Sequence, residues 1–416
     1  MKRTQENAIG SARSIFQPVQ QKPRVDTLSY PSTLPPGLGV GQPVMKSIAP
    51  RVPVHIIWQN FSNSSSVVAS ASQETCPSFS QDAIVTKAHE LHSAIANGNS
   101  AVISGILRRQ DASEIAMVTD DQGKNALFHA IANNDLLTMD DLFSLTSRGK
   151  LVMQQSKAGM FPLSFAAGKG AVLAVIRILE INGANQHVYP DKMPFNPLAA
   201  AAANGHEAVI PILLASPYGA ALAQGRTREG VNALTVAAWR GRAGVVRILL
   251  ESEHARELAQ SSHDQPVNAM EVAAAKGHVP VVNILLQSPF AAALLQAKNK
   301  LGFNVLMLAA QNGHESAVRV FLASDYAETL VKQKNNEGLN ALMIAAFRNH
   351  PTVTRSLLEF GFVEEQLAGI YSGRSTIDNV IKLGFLTVAE VLMRYGAVST
   401  RSKAVGQSMT PTGLSQ

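Results

Sequence analysis

The stretch "NALTVAAWRGRAGVVRILLESE", residues 232–253, decides the reading of the chain. Leu234, Ala237, Ala238 and Gly241 fall at i, i+3, i+4 and i+7. After the glycine, Val245, Val246, Leu249 and Leu250 form a second apolar stripe. Two short amphipathic helices separated by a break follow from that pattern.

The glycine of this stretch serves as a ruler. Gly98, Asn134, Gly170, Gly205, Gly241, Gly277, Gly313, Asn349 and Gly384 follow one another at intervals of 35 or 36 residues. Asparagine is the residue next most tolerant of the left-handed conformation that ends a helix, so the two exceptions keep the same expected backbone. A pair of small or apolar residues precedes each break, from Ala94 with Ile95, through Ala237 with Ala238, to Val380 with Ile381. Small residues there let neighbouring first helices approach closely. Upstream, Gly123, Gly159, Gly230, Gly302, Gly338 and Gly373 mark a turn, with Pro194 and Pro266 in two equivalent places. The expectation is an all-α solenoid of about nine units, each a turn followed by two antiparallel helices.

These residues resemble the ankyrin repeat family over about residues 84–400. The turn, the helix start, the Ala-Ala pair, the Gly-His break and the Val-Val then Leu-Leu second helix are found in "GVNALTVAAWRGRAGVVRILL" and "GFNVLMLAAQNGHESAVRVFL". Two departures stand out. Asn232, Asn268, Asn304 and Asn340 stand where the family usually has Thr, and asparagine still serves as a helix cap. The period is near 36 rather than the usual 33. Ser216, Ser252, Ser288 and Ser324, two of them followed by proline, and Leu222, Leu258, Leu294 and Leu330 six residues later, predict an extra helical turn per unit. The serine is expected to start it and the leucine to pack it, on the side away from the first helices.

Composition bounds the rest. The chain has 416 residues, 46% of them hydrophobic, and contains no apolar run long enough to span a membrane. Its single cysteine, Cys76, excludes an intramolecular disulfide framework and fits a reducing, cytoplasmic setting. The formal charge of +6 belongs to the flanks: residues 1–80 carry seven Lys or Arg against three acids, and residues 399–416 carry Arg401 and Lys403 with no acid. The body between them holds 27 cations and 27 acids, so general nucleic-acid binding by the body is not expected. Residues 1–80 and 401–416 are rich in Ser, Pro and Gln and are expected to be disordered, flanking a repeat domain at 81–400. Within the leader, "RVPVHIIWQNF" (51–61) is an apolar, β-branched run suited to strand addition. The final unit, "STIDNVIKLGFLTVAEVLMRYGAV", keeps the spacing but loses the Ala pair, as a polar terminal cap does.

No cofactor and no metal are expected. His206, His278, His314 and His350 follow the break at unit spacing, and packed helices hold such residues 8 to 10 Å apart, too far to share a zinc ion. The family resemblance implies that these histidines tie neighbouring units together. "HELH" (89–92) has the wrong spacing for a zinc protease, "AAGKG" (166–170) lacks the flanks of a phosphate loop, and "GLGVG" (37–41) lacks strand and helix. An enzyme built on Cys76, with His55 and His89 nearby in sequence, is the competing class, but a Ser-rich linker supplies no rigid site.

The resemblance also implies that the two residues after the Ala pair face the concave surface. The first position reads Ala96, Ala132, Gly168, Ala203, Trp239, Ala275, Gln311, Phe347 and Lys382; the second reads Asn97, Asn133, Lys169, Asn204, Arg240, Lys276, Asn312, Arg348 and Leu383. Turn residues Phe195, Val231, Val267, Phe303 and Leu339 form an apolar row that either adds to that face or packs on itself along the hairpins, with Arg228 near the turn glycine. Large aromatics paired with arginine are hot-spot material. The expected function is a monomeric, non-enzymatic scaffold that holds a protein partner through Trp239, Arg240, Lys276, Phe303, Phe347, Arg348 and Arg228. A long Ser-rich, acid-poor leader before such repeats also resembles bacterial effectors delivered into host cytoplasm, and Ser-rich basic leaders equally resemble organelle transit peptides.

Overall fold

The computed structural model describes residues 80–181, 196–226, 231–260 and 267–398. The leader run 51–61, Cys76, the turn residues Phe195, Arg228 and Gly230, and the tail 401–416 lie outside the described residues.

Each break is a helix end with positive φ. Gly98, Asn134, Gly170, Gly205, Gly241, Gly277, Gly313, Asn349 and Gly384 all have φ between 54° and 83°. This left-handed turn lets the chain reverse within two residues, which explains why only Gly or Asn stands there. In the fifth unit the first helix is Ala233–Trp239 and the second Ala243–Glu251. Among the described residues nine such pairs follow one another, from Gln81–Asn97 with Ser100–Leu107 to Thr376–Lys382 with Leu386–Arg394.

First helices pack on first helices and second on second along the stack. The Ala pairs from Ala166 with Ala167 to Ala345 with Ala346 are fully buried between neighbouring first helices. Val245, Val246 and Leu249 bury the inner face of the second helix, and Val281, Val282 and Leu285 do the same one unit on. The core is therefore a continuous seam between two helix layers, built by neighbour contacts.

The expected extra turn is present as a short third helix: Gly219–Gln224, Ala255–Ala259, Ala291–Gln296 and Ala327–Lys332. Its leucine (Leu222, Leu258, Leu294, Leu330) is buried in each case. Two details correct the expectation. The serine does not serve this helix alone: its hydroxyl turns back to the end of the second helix, donating to the Leu213, Leu249, Leu285 and Phe321 carbonyls at 2.7 Å, and in Ser216 and Ser288 it also accepts from the Tyr218 and Phe290 amides ahead at 3.3 Å. Nor does the third helix lie away from the first helices: it packs against the first helix of its own unit.

The cap asparagine explains that placement. Its Oδ1 accepts from the third helical amide, as in Asn232 from Thr235 at 2.9 Å and Asn304 from Met307 at 2.8 Å. Its Nδ2 simultaneously donates to the carbonyl 26 residues later: Asn232 to Leu258 at 2.6 Å, Asn268 to Leu294 at 2.8 Å, Asn304 to Leu330 at 2.9 Å, and Asn340 to Gln366 at 2.9 Å. Asn125 and Asn196 repeat the bond. Threonine has one hydroxyl and cannot serve both ends across this span. The longer period and the Thr-to-Asn departure are thus one adaptation.

Between the eighth and ninth units the turn tightens into two strands, β1 (Ile370–Tyr371) and β2 (Arg374–Ser375), antiparallel with Tyr371 opposite Arg374. The ninth unit is not a polar cap. Ile370, Ile381, Leu386, Met393 and Val398 are exposed. Ile381 stands where inner units place the second alanine of the pair, yet it is 47% exposed while Ala346 is 0% exposed.

Candidate interaction face

The residue after the Ala pair closes each first helix, and its carbonyl is held from the next unit. His278 donates through Nε2 to the Trp239 carbonyl at 3.0 Å, His314 to Ala275 and His350 to Gln311 at 3.0 Å, and His206 to Gly168 at 2.9 Å. The histidines thus tie adjacent units, as the resemblance implied. Arg242 takes the same place in the fifth unit, reaching back through Nε to Ala203 at 3.3 Å. The imidazole closes on the break itself: a Cβ on Gly277 would lie 2.7 Å from the His314 ring. Burial holds the His314 ring below its ordinary pKa, so it is neutral at pH 7.

Trp239 ends the first helix of the fifth unit and is half-buried. The Arg240 guanidinium lies 4.6 Å from the indole centroid and the Lys276 ammonium, one unit on, 5.4 Å. Two cations therefore converge on one indole, within cation–π range. Burial and, secondarily, repulsion from Arg242 hold the Arg240 guanidinium below its ordinary value. An arginine lowered from so high a value still carries its charge at neutral pH.

A second station of the same kind was not legible in the two rows. Phe165, half-buried in the third unit, has Lys124 at 5.4 Å and Lys169 at 5.6 Å from its centroid, and packs against Phe128 at 5.4 Å. Lys169 stands in the same register as Arg240 and Lys276, which was the signal available for it.

Two expected contact residues are corrected. Phe347 is 7% exposed, its ring 5.8 Å from that of Tyr371. Phe303 is 2% exposed. Both are packing residues, the first covered by the β1–β2 hairpin and the second buried at the base of its turn, and neither has the side-chain surface to anchor a partner. Arg348 and Lys276 are exposed in their row, and Arg228 lies outside the described residues.

Histidines gather in the first two units, with His92 buried and His129 half-buried. His92 stacks on His129 with centroids 4.5 Å apart, and His129 Nε2 lies 3.2 Å from Asp120 Oδ2. Burial, then the neighbouring His129, lowers His92 to about 4. Among the described residues no group of three or more His, Cys, Asp or Glu is arranged to hold a metal. No helix among them is long and apolar enough to cross a membrane.

A family model described as ankyrin repeats, in three copies, matches residues 163–261, 270–367 and 306–401, more than half of the chain. The chain is an ankyrin repeat protein. No curated protein matches it. The matches begin at residue 163, yet the helix pairs from Gln81 onward carry the same left-handed break, and Asn125 the same double-ended cap. Ankyrin repeats generally mediate protein–protein interaction, and proteins built of them are typically non-enzymatic scaffolds.

Proposed function

We propose that the chain is a non-enzymatic scaffold that holds a protein partner along the face formed by the ends of the first helices, from the third unit to the eighth. The observation carrying this reading is the convergence of Arg240 and Lys276 on the half-buried indole of Trp239. A large flat apolar group rimmed by positive charge favours a partner that brings an apolar side chain beside carboxylates. Phe165 with Lys124 and Lys169 supplies a second contact of the same chemistry. Arg348 extends the row, and Arg228 borders it in sequence. The acid-free composition of both rows supports the same choice of partner.

The test is the double variant Trp239→Ala with Lys276→Glu, used as bait beside the native chain. Proteins retained by the native chain should be lost while the thermal midpoint holds; retention of the same set at an unchanged midpoint refutes the reading. The finer reading, an effector that bacteria deliver into host cytoplasm, rests on the composition of residues 1–80 alone. Fusing those residues to a reporter and assaying its translocation tests it, with a reporter that stays inside the bacterium counting against it.

A further inference from the structure

The two cation-rimmed aromatics stand two units apart, and the unit between them has almost no side chains. Phe165 and Lys169 lie in the first helix of the third unit, Pro162–Lys169, and Trp239 ends that of the fifth. The fourth unit's first helix, Pro197–Asn204, reads PLAAAAAN. Ala200 and Ala203 hold the register positions of Phe165 and Trp239, so each offers a methyl group where a neighbour offers a ring. Gly168 clears the place beside Phe165: a Cβ on it would lie 3.6 Å from that of Ala200. Low ground formed by Gly168, Ala200 and Ala203 therefore runs from one aromatic to the other.

The charge of this layer is one-sided. From the third unit to the eighth the only acid in the first helices is Glu271, which is 2% exposed. The cations Lys169, Arg240, Lys276 and Arg348 are exposed at the ends of those helices. On the second and third helices cations meet acids: Arg177 and Asp140 at 3.4 Å, Arg319 and Glu315 at 2.9 Å, Lys332 and Glu328 at 2.6 Å. Among the described residues neither Lys169 nor Lys276 is in such a pair. A neutral repeat body thus leaves its positive charge unbalanced along one face, which selects an acidic occupant.

The spacing of the stations sets the form of that occupant. Neighbouring packed helices lie about 8 to 10 Å apart, so two unit steps cover about 16 to 20 Å. Trp239 stands three residues further along its helix than Phe165 does, an offset of about 4.5 Å that changes the separation little. An extended chain advances about 3.3 Å per residue and turns alternate side chains to opposite sides. Four residues fall short, five place the second side chain away from the surface, and six reach both rings from one side. Single-stranded nucleic acid also combines flat rings with negative charge, but its charge recurs at every nucleotide, whereas the fourth and seventh units carry Asn204 and Asn312 in the cation row.

Resting on the partner reading above, we infer that the bound segment is an extended acidic peptide with two large apolar side chains six residues apart, one against Trp239 and the other against Phe165, its backbone crossing Ala200 and Ala203.

The probe is a fluorescently labelled peptide of eleven residues, glutamate and glycine with phenylalanine at its third and ninth positions. A peptide of the same composition with phenylalanine at the third and eighth is its control. On titration with the full chain the first should bind saturably, with a dissociation constant at or below roughly 0.1 mM, and more weakly as salt is added. The control, and a peptide with one phenylalanine replaced by glycine, should bind about tenfold more weakly, the loss of one anchor. Lys169→Glu and Lys276→Glu, both at exposed positions, should each weaken binding about three- to tenfold, one acting at each end. The inference is overturned by absence of saturable binding at roughly millimolar chain, by equal affinity for the two spacings, by indifference to Lys169→Glu, or by an oligothymidine that binds more tightly than the peptide. One-ring and two-ring peptides that bind equally, both lost in Trp239→Ala, remove the second station and leave the Trp239 face standing. Binding that is unchanged in Trp239→Ala removes the face itself.

Discussion

Among the described residues Glu271 is the one carboxyl buried in the middle of the stack, and its ionisation should weaken the stack as pH rises. It stands in the first turn of Ala269–Lys276, is 2% exposed, and lies between first helices Ala233–Trp239 and Val305–Gln311. Its Oε2 accepts from the Asn268 amide at 3.1 Å, completing a capping box, while Oε1 has no partner. Burial pushes its pKa from 4.5 up to about 7, opposed in part by the Asn268 amide. A folded pKa above the unfolded one means that the folded state holds the proton more tightly. Stability is therefore complete below 4.5, falls as pH rises from there through 7, and then levels off. The difference between the two values corresponds to about 3 kcal/mol at alkaline pH. Glu271→Gln keeps the size and the capping acceptor but carries no charge. Urea denaturation of both proteins at pH 5, 7 and 9, followed by helical circular dichroism, isolates the effect, since every other titrating group is common to the two. The variant should gain on the native protein by about 2 to 3 kcal/mol between pH 5 and 9. Hydrogen exchange should place the gain in the amides of Ala273, Ala274 and their neighbours, because repeat stability is a sum of local interfaces. A difference between the two proteins that does not change with pH refutes the reasoning.

Three further outcomes follow from the same geometry. Asn304→Thr keeps a cap acceptor but strands the Leu330 carbonyl, and should cost about 1 to 3 kcal/mol in denaturation, whereas Asn304→Ala also loses the cap and should cost about 1 kcal/mol more. Gly98→Ala meets no atom within 4 Å and should cost about 1 kcal/mol for its positive φ alone. Gly277→Ala must also displace the His314 ring and should lower the thermal midpoint further; equal midpoints would refute the contact. His92, lowered to about 4, contributes stability that is complete above 6.5 and lost as pH falls toward 4, so His92→Phe should flatten the acid limb of the thermal-midpoint profile.

Much of the fold was legible because its punctuation is steric. A left-handed break admits Gly or Asn and little else, so nine such residues at constant spacing located the helix pairs. The leucine of the third helix was legible from period alone. The serine was read in one direction only, because a hydroxyl between two helices can bond to either: Ser216 donates backward to the Leu213 carbonyl while it accepts from the Tyr218 amide. Placement of the third helix depended on the second arm of Asn232, a bond spanning 26 residues that no local pattern announces. Phe347 reads as an anchor in its row, but Tyr371, brought over it by the following hairpin, removes it from the surface. Phe165 was missed for the opposite reason: Val236, Val272 and Leu308, its equivalents in later units, are buried, so its own partial exposure was not visible in the register.

The hydrogen bonds also explain how one copy of the repeat can carry an anchor that its neighbours lack. The carbonyl of the first row position is bound by the histidine of the next unit whether the residue is Gly168, Trp239, Ala275 or Gln311. That bond involves no side-chain atom of the row residue, so the side chain is free to vary while its backbone stays fixed from both sides. Replacing alanine by tryptophan at such a place leaves the tie intact and adds a large group on a backbone already ordered, which lowers the entropy lost when a partner arrives. The consequence is a separation of roles within each unit. Cap asparagines, break glycines and histidines hold the stack, and on the function proposed above the two positions after the Ala pair set what the stack binds. His278→Ala should therefore weaken partner capture through Trp239 even though His278 bonds only the Trp239 carbonyl. Capture by His278→Ala equal to that by the native chain, in a protein whose Trp239 fluorescence shows a loosened indole, would break the link between backbone anchoring and recognition.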